Sequence, residues 1–166
     1  MINNNDTIRL LQAIGSPFDS RCKKLPESEK EAKELFELAT KNKIGLLYLD
    51  SLNKFNLIEK FNLSELYFIE KKKHAEQEKT AIRISEIFNQ NSINYAIFKS
   101  IMPFPATPND VDIINFGDIR DYKIIAQIMN DSGYDEVFGQ ADTQQRMFHD
   151  VLNGGQLIPH PKKKDV

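Results

Sequence analysis

Near Ile93 the hydrophobic pattern changes period, and this change limits the possible folds more than any other feature of the chain. Upstream, apolar residues recur at three- and four-residue steps, the spacing of a helix with one buried face. Ala32, Leu35, Phe36 and Ala39 make one such stripe. Downstream, the apolar residues gather into short runs bounded by Pro, Asn, Asp and Gly, such as Tyr95-Ala96-Ile97-Phe98 and Val111-Asp112-Ile113-Ile114. Short β-forming runs between turn residues read as strands. Helices followed by strands predict an α+β chain: an N-terminal helical region over residues 1–90, then a small mixed β-sheet core over residues 91–166.

Within the first region, Asp6 is expected to cap a short helix that carries Ile8, Leu11 and Ile14 and stops near Gly15-Ser16-Pro17. Residues 16–26 form a connector with proline near both ends. A second helix is expected from Pro26, with Glu27, Glu29 and Glu31 at its positive end and Asn42 at its close. Ile44 to Leu52 reads as a third helix with Leu47, Tyr48 and Leu52 on one face, and residues 53–63 break the pattern. Ser64 is the expected cap of a long helix to about Asn89. Its middle, Glu70 to Lys79, is almost wholly polar, so Lys71-Lys72-Lys73 and His74 read as solvated; Ala81, Ile84, Ile87 and Phe88 restore an apolar face.

In the second region, Pro103, Pro105 and Pro108 stiffen the loop between the two strands. Asp118 is the expected cap of a helix through Ile124, Ile125, Ile128 and Met129, closed by Gly133. Tyr134 to Phe138 then reads as a strand. Met147 to Leu152 and Gln156 to Ile158 read as a hairpin around Asn153-Gly154-Gly155.

Composition removes several classes of function. Lys and Arg number 22 against 24 Asp and Glu, a net charge of -2, which does not suit a protein that binds nucleic acid mainly by neutralising phosphates. The single cysteine, Cys22, excludes an internal disulfide framework and a multi-cysteine zinc site. The start lacks the basic and apolar segments of a signal peptide, and no apolar run approaches the ~20 residues that span a bilayer. A cytoplasmic protein without a membrane partner is expected.

The residues that point to chemistry are Asp110-Val111-Asp112. In an extended segment, side chains two apart share a side, so the two carboxylates would project together while Val111 and Ile113 face the core. Adjacent carboxylates repel and raise each other's pKa, and a divalent cation removes that penalty. Mg²⁺ commonly takes one or two protein carboxylates together with phosphate oxygens, which makes this pair the right size for a metal–nucleotide site. Taken alone, Asp-x-Asp after Pro108-Asn109 also fits a solvated turn leading into a strand.

The order of segments around this pair resembles the DNA polymerase β-like nucleotidyltransferase superfamily, and most closely a family of uncharacterised nucleotidyltransferases with a helical N-terminal region. The resemblance runs over roughly residues 35 to 138 and is carried by Asn42 to Tyr48, Ser92-Ile93-Asn94-Tyr95, Phe98-Lys99-Ser100, Asp110 to Ile114 and Ser132-Gly133-Tyr134. It implies a nucleotidyltransferase-like core in which Lys99 and Ser100 occupy the turn that approaches the donor phosphates. It implies that Asp110 and Asp112 are the catalytic acids that bind Mg²⁺ or Mn²⁺. The implied donor is an NTP, ATP first, and the acceptor a hydroxyl of a small molecule, RNA or protein. The implied alternative is an inactive relative that binds a nucleotide or a protein partner.

The usual glycine of the phosphate-binding turn is replaced by Ser100, which narrows the approach of phosphate to backbone. The third acid usual in such enzymes has Asp150 and Asp165 as its candidates, and the chain is expected to end inside the strand that carries that acid. His149, His160 and Arg146 are polar residues that read as structural or surface groups, and Lys162-Lys163-Lys164 as a solvated tail. Cys22 lies beside Arg21, Lys23 and Lys24 with no base assigned to it.

Overall fold

A computed structural model describes residues 4–15, 24–98, 102, 104–107, 110–136 and 148–150. It is mixed α+β and mostly helical. The elements are α1 (Asn4–Ile14), α2 (Glu29–Lys41), α3 (Gly45–Asn53), α4 (Leu57–Lys60), α5 (Ser64–Gln90), β1 (Tyr95–Phe98), β2 (Asp112–Asn115), α6 (Ile119–Asp131), β3 (Tyr134–Glu136) and β4 (Phe148–Asp150). No described helix is long and apolar enough to cross a membrane. The chain divides into two compact units, Met1–Ile84 with Ala96–Ile114 and Ser85–Tyr95 with Asn115–Val166.

The core of the first unit is hydrocarbon from α1 to α4. Ala32, Leu35, Leu38 and Ala39 of α2 are buried with Tyr48, Leu49 and Leu52 of α3, and Ile58, Phe61 and Leu63 close the cluster. Two buried hydroxyls fasten helix to helix: Tyr48 donates to the Ala32 carbonyl at 3.1 Å and Ser51 to the Ile14 carbonyl at 3.1 Å. The α1 face differs from the expected one. Leu10, Ala13 and Ile14 are buried, whereas Ile8 and Leu11 are 53% and 59% exposed. Both sets have helical spacing, and packing against α2 and α3 selects between them.

Helix ends explain two further shifts. α2 begins at Glu29 because the Ser28 hydroxyl accepts the Glu31 N–H at 3.2 Å, which moves the start past Pro26. It ends as expected at Asn42. There Lys43 turns left-handed (φ 63°), and the N–H of Ile44 reaches back to the Ala39 carbonyl at 2.9 Å. The same closure recurs after α4, where Asn62 has φ 52° and Leu63 bonds to Ile58 at 2.9 Å. It recurs after α5, where Ser92 has φ 56° and Ile93 bonds to Phe88 at 2.9 Å. Each closure satisfies carbonyls that the helix leaves open. The short helix α4 lies within residues 53–63, where the sequence pattern predicts only a break.

In the second unit, Asp118 caps α6 as expected. Its carboxylate accepts from the N–H groups of Arg120 (2.6 Å) and Asp121 (3.3 Å), and Asp121 answers by accepting the Asp118 N–H. Ile125, Ala126 and Met129 are buried along α6, while Ile124 stays exposed. Gly133 takes φ 87° and turns the chain into β3, which packs against α6. Phe88 and Tyr95 meet edge to face with ring centres 5.1 Å apart. β3 pairs antiparallel with β4, Tyr134 opposite Asp150 and Glu136 opposite Phe148. Within the strand expected over Met147 to Leu152, Phe148–Asp150 pairs antiparallel with β3; the turn 153–155 and the other arm of the predicted hairpin, Gln156 to Ile158, lie outside the described residues. The described strands form two two-stranded sheets, β1–β2 and β3–β4.

Candidate functional site

The two acids stand at the entry to β2. Asp110 occupies an exposed bend, and the strand begins at Asp112, which is part-buried. The alternation that would put both carboxylates on one side thus holds from Asp112 onward, and Asp110 lies two residues outside it. β2 pairs with β1. Beyond both strands the Phe116 N–H bonds to the Asn94 carbonyl at 2.9 Å, so the start of β1 meets the end of β2. Lys99 and Ser100, directly after β1, lie outside the described residues, as do Asp165, His160, Arg146 and Cys22. Asp150 ends β4; its side chain and that of His149 are likewise outside the description.

The segment leading to Asp110 rests on α5. The Thr107 hydroxyl donates to Oε2 of Glu70 at 2.8 Å, and the Thr107 N–H donates to the Lys43 carbonyl at 3.1 Å. Nδ1 of His74 lies 3.0 Å from the Ala106 carbonyl. A carbonyl only accepts, so the proton is assigned to Nδ1. Nε2 of Gln77 donates to the backbone carbonyl of Asp110 at 3.2 Å. Glu70, His74 and Gln77 are spaced four and three apart and so share one face of the helix.

This face corrects the picture of a uniformly solvated middle for α5. Lys71, Lys72 and Lys73 are exposed as expected, but Glu70 is only 3% exposed and His74 is part-buried. A buried carboxylate needs partners. Glu70 has Lys73 Nζ at 2.7 Å on one oxygen and the Thr107 hydroxyl on the other. Gly45, the first residue of α3, provides room for it: a Cβ there would stand 3.2 Å from Oε2 of Glu70 and 2.9 Å from Oγ1 of Thr40. The positive end of α3 also favours a carboxylate at that place.

No protein family, curated protein or solved structure matches the chain.

Hard carboxylate oxygens at Asp110 and Asp112 suit Mg²⁺ or Mn²⁺ better than a softer metal. Among the described residues no group of three or more His, Cys, Asp and Glu is arranged to hold a metal. What this segment offers a hard cation is two carboxylates two residues apart, Asp110 on a bend and Asp112 at the start of β2. A separate cleft between α1 and α2 is lined by Asp6, Glu31, Glu34 and Glu37 with Arg9 and Lys41. Its acids outnumber its bases four to two, and Arg9 pairs with Glu31.

Glu70, His74, Gln77 and Thr107 were not singled out by sequence reasoning as parts of a site. Their signal is a continuation: Glu70, His74 and Gln77 extend the stripe of Ala81, Ile84 and Phe88 towards the start of the helix, with polar residues in place of apolar ones. A neighbouring polar contact joins α3 to α5, where the Tyr67 hydroxyl donates to Oδ1 of Asp50 at 2.7 Å and Lys71 lies over the Tyr67 ring. Burial is the main cause that raises the Tyr67 phenol above its ordinary pKa.

Proposed function

We propose that the chain carries a nucleotidyltransferase-like core of the DNA polymerase β type and transfers a nucleotidyl group from an NTP, ATP first, to an acceptor hydroxyl. The observation that carries this reading is the pair Asp110 and Asp112 at the mouth of β2, beside a paired strand β1 that leads straight into Lys99-Ser100. Asp110 and Asp112 would hold Mg²⁺. The bound cation would supply charge neutralisation at the triphosphate and the leaving pyrophosphate. Asp110 and Asp112 would hold the cation, and Lys99 would supply a point charge for the phosphates. In the transfer, the acceptor hydroxyl gives its proton to water and its oxygen forms a bond to the α-phosphorus as the bond from that phosphorus to the oxygen bridging to the β-phosphate breaks, releasing pyrophosphate. Rate comes chiefly from position and electrostatics.

Ser100, in place of the usual glycine, favours a second reading: a module that binds a nucleotide or a protein partner without transfer. Titration with Mn²⁺ and ATP, followed by a search for labelled product from α-labelled ATP, separates the two. The transfer reading expects metal-dependent ATP binding and labelling, both lost in Asp110→Ala/Asp112→Ala. Metal-independent binding that survives the double substitution would sink it.

A further inference from the structure

We infer that the face of α5 formed by Glu70, His74 and Gln77 positions the acid-bearing segment, so that these three, with Thr107, are positioning residues for the metal–nucleotide site. The inference rests on the reading of Asp110 and Asp112 given above. Three features of the contact support a positioning role over simple adhesion.

The first is where the bonds fall. His74 and Gln77 take hold of main-chain carbonyls, those of Ala106 and Asp110. Such bonds fix the path of the backbone whatever the side chains do. At Asp110 the bond uses the carbonyl and not the carboxylate, so the acid is located without being consumed.

The second is that the segment is held from two directions. Thr107 gives its N–H to Lys43, in the turn between α2 and α3, and its hydroxyl to Glu70 on α5. Lys43 is itself placed by the closure of α2. The segment therefore inherits its position from the hydrocarbon-packed α2–α3 pair. Two anchors on different elements fix a segment where one would allow it to pivot.

The third is the burial of Glu70. A carboxylate sealed from water contributes little to hydrophobic packing and costs desolvation, so its partners must be in place when the chain folds. Its dependence on Thr107 couples the fold of α5 to one geometry of the segment. Pro105 between Phe104 and Ala106 limits the alternatives further by fixing its own φ. Seven residues of helix separate Glu70 from Gln77, a rail of about 10 Å.

The test uses the full chain and two variants, Gln77→Met and Thr107→Val. Gln77→Met keeps length and helix propensity and removes the donor. Two quantities are read: hydrogen exchange at the Thr107 amide or its peptide, and the affinity for Mn²⁺–ATP. Positioning predicts faster exchange in the segment and roughly tenfold weaker Mn²⁺–ATP binding in each variant, as for other groups that orient metal ligands. It also predicts recovery in Gln77→Lys, which restores a donor. The recovery is read in hydrogen exchange, because a lysine charge by itself attracts the net-negative Mn²⁺–ATP complex. Unchanged exchange in both variants overturns the positioning whatever the protein binds. Faster exchange in a protein that shows no metal-dependent ATP binding supports the positioning of the segment and overturns the nucleotide reading.

Discussion

Between α2 and α3 the chain meets itself through Ala32, Leu35, Ala39, Tyr48, Leu49 and Leu52, all buried. Ala106, Thr107 and Asp110 meet α5 through Glu70, His74 and Gln77, with two main-chain carbonyls among the partners. The first contact is sized by area: apolar burial contributes about 25 cal/mol per Å² and tolerates small shifts in geometry. The second is sized by direction, since a hydrogen bond nets only about 1 kcal/mol and weakens steeply when misaligned. One contact holds the unit together, and the other specifies where a few atoms go. Of the two acids, Asp110 belongs to this second contact and Asp112 follows two residues later.

The largest expected effect lies on the hydrocarbon side. Leu49→Ala, at a fully buried position, should cost about 2–5 kcal/mol in urea unfolding, whereas Gln77→Met should move the same curve by less than about 0.5 kcal/mol. Equal shifts would erase the distinction.

A smaller effect tests the hydroxyl that pins α3 to α2. Tyr48→Phe removes the bond to the Ala32 carbonyl and should cost about 1 kcal/mol near neutral pH. Burial, and next the nearby Glu31, push the Tyr48 phenol far above its ordinary value of 10.0. A raised folded-state pKa means that the unfolded chain releases this proton first. The stabilisation is whole below about pH 10 and declines as pH rises beyond it. Unfolding curves across that range should fall less steeply for Tyr48→Phe than for the parent chain.

The smallest effect concerns the left-handed closures. Ser92→Gly removes the Cβ at φ 56° and should stabilise by roughly 0.5 kcal/mol, the steric gain being partly offset by a more flexible unfolded chain. Thermal unfolding reads it directly; destabilisation would show that the Ser92 side chain contributes more than its backbone strain costs.

Much of the local structure was legible. The stripe on α2, the end of that helix at Asn42, the start of α5 near Ser64, the cap at Asp118 and the strand Tyr95–Phe98 all follow from neighbours a few residues apart. Three helix closures carried no glycine to announce them, because Lys43, Asn62 and Ser92 supply the left-handed residue. That is why α4 is absent from a reading built on breakers. On α1 two faces had the required spacing, and only packing against α2 and α3 chose Leu10, Ala13 and Ile14. At the candidate site, Asp110 and Asp112 stand out as paired acids, whereas Glu70 is marked only by its place on the line of Ala81, Ile84 and Phe88, where a charged residue does not read as buried.

The sequence by itself determined where most of the helices and strands fall, the cap at Asp118 and the place of the acidic pair, since each depends on residues within about one helical turn or one strand step. The tertiary structure alone decided that β4 runs back along β3 and that a polar stretch of α5 has an inner face. Glu70 and Thr107 are 37 residues apart, and no periodicity reports a bond across that distance. The energy that shelters the carboxylate exists only once both segments have met.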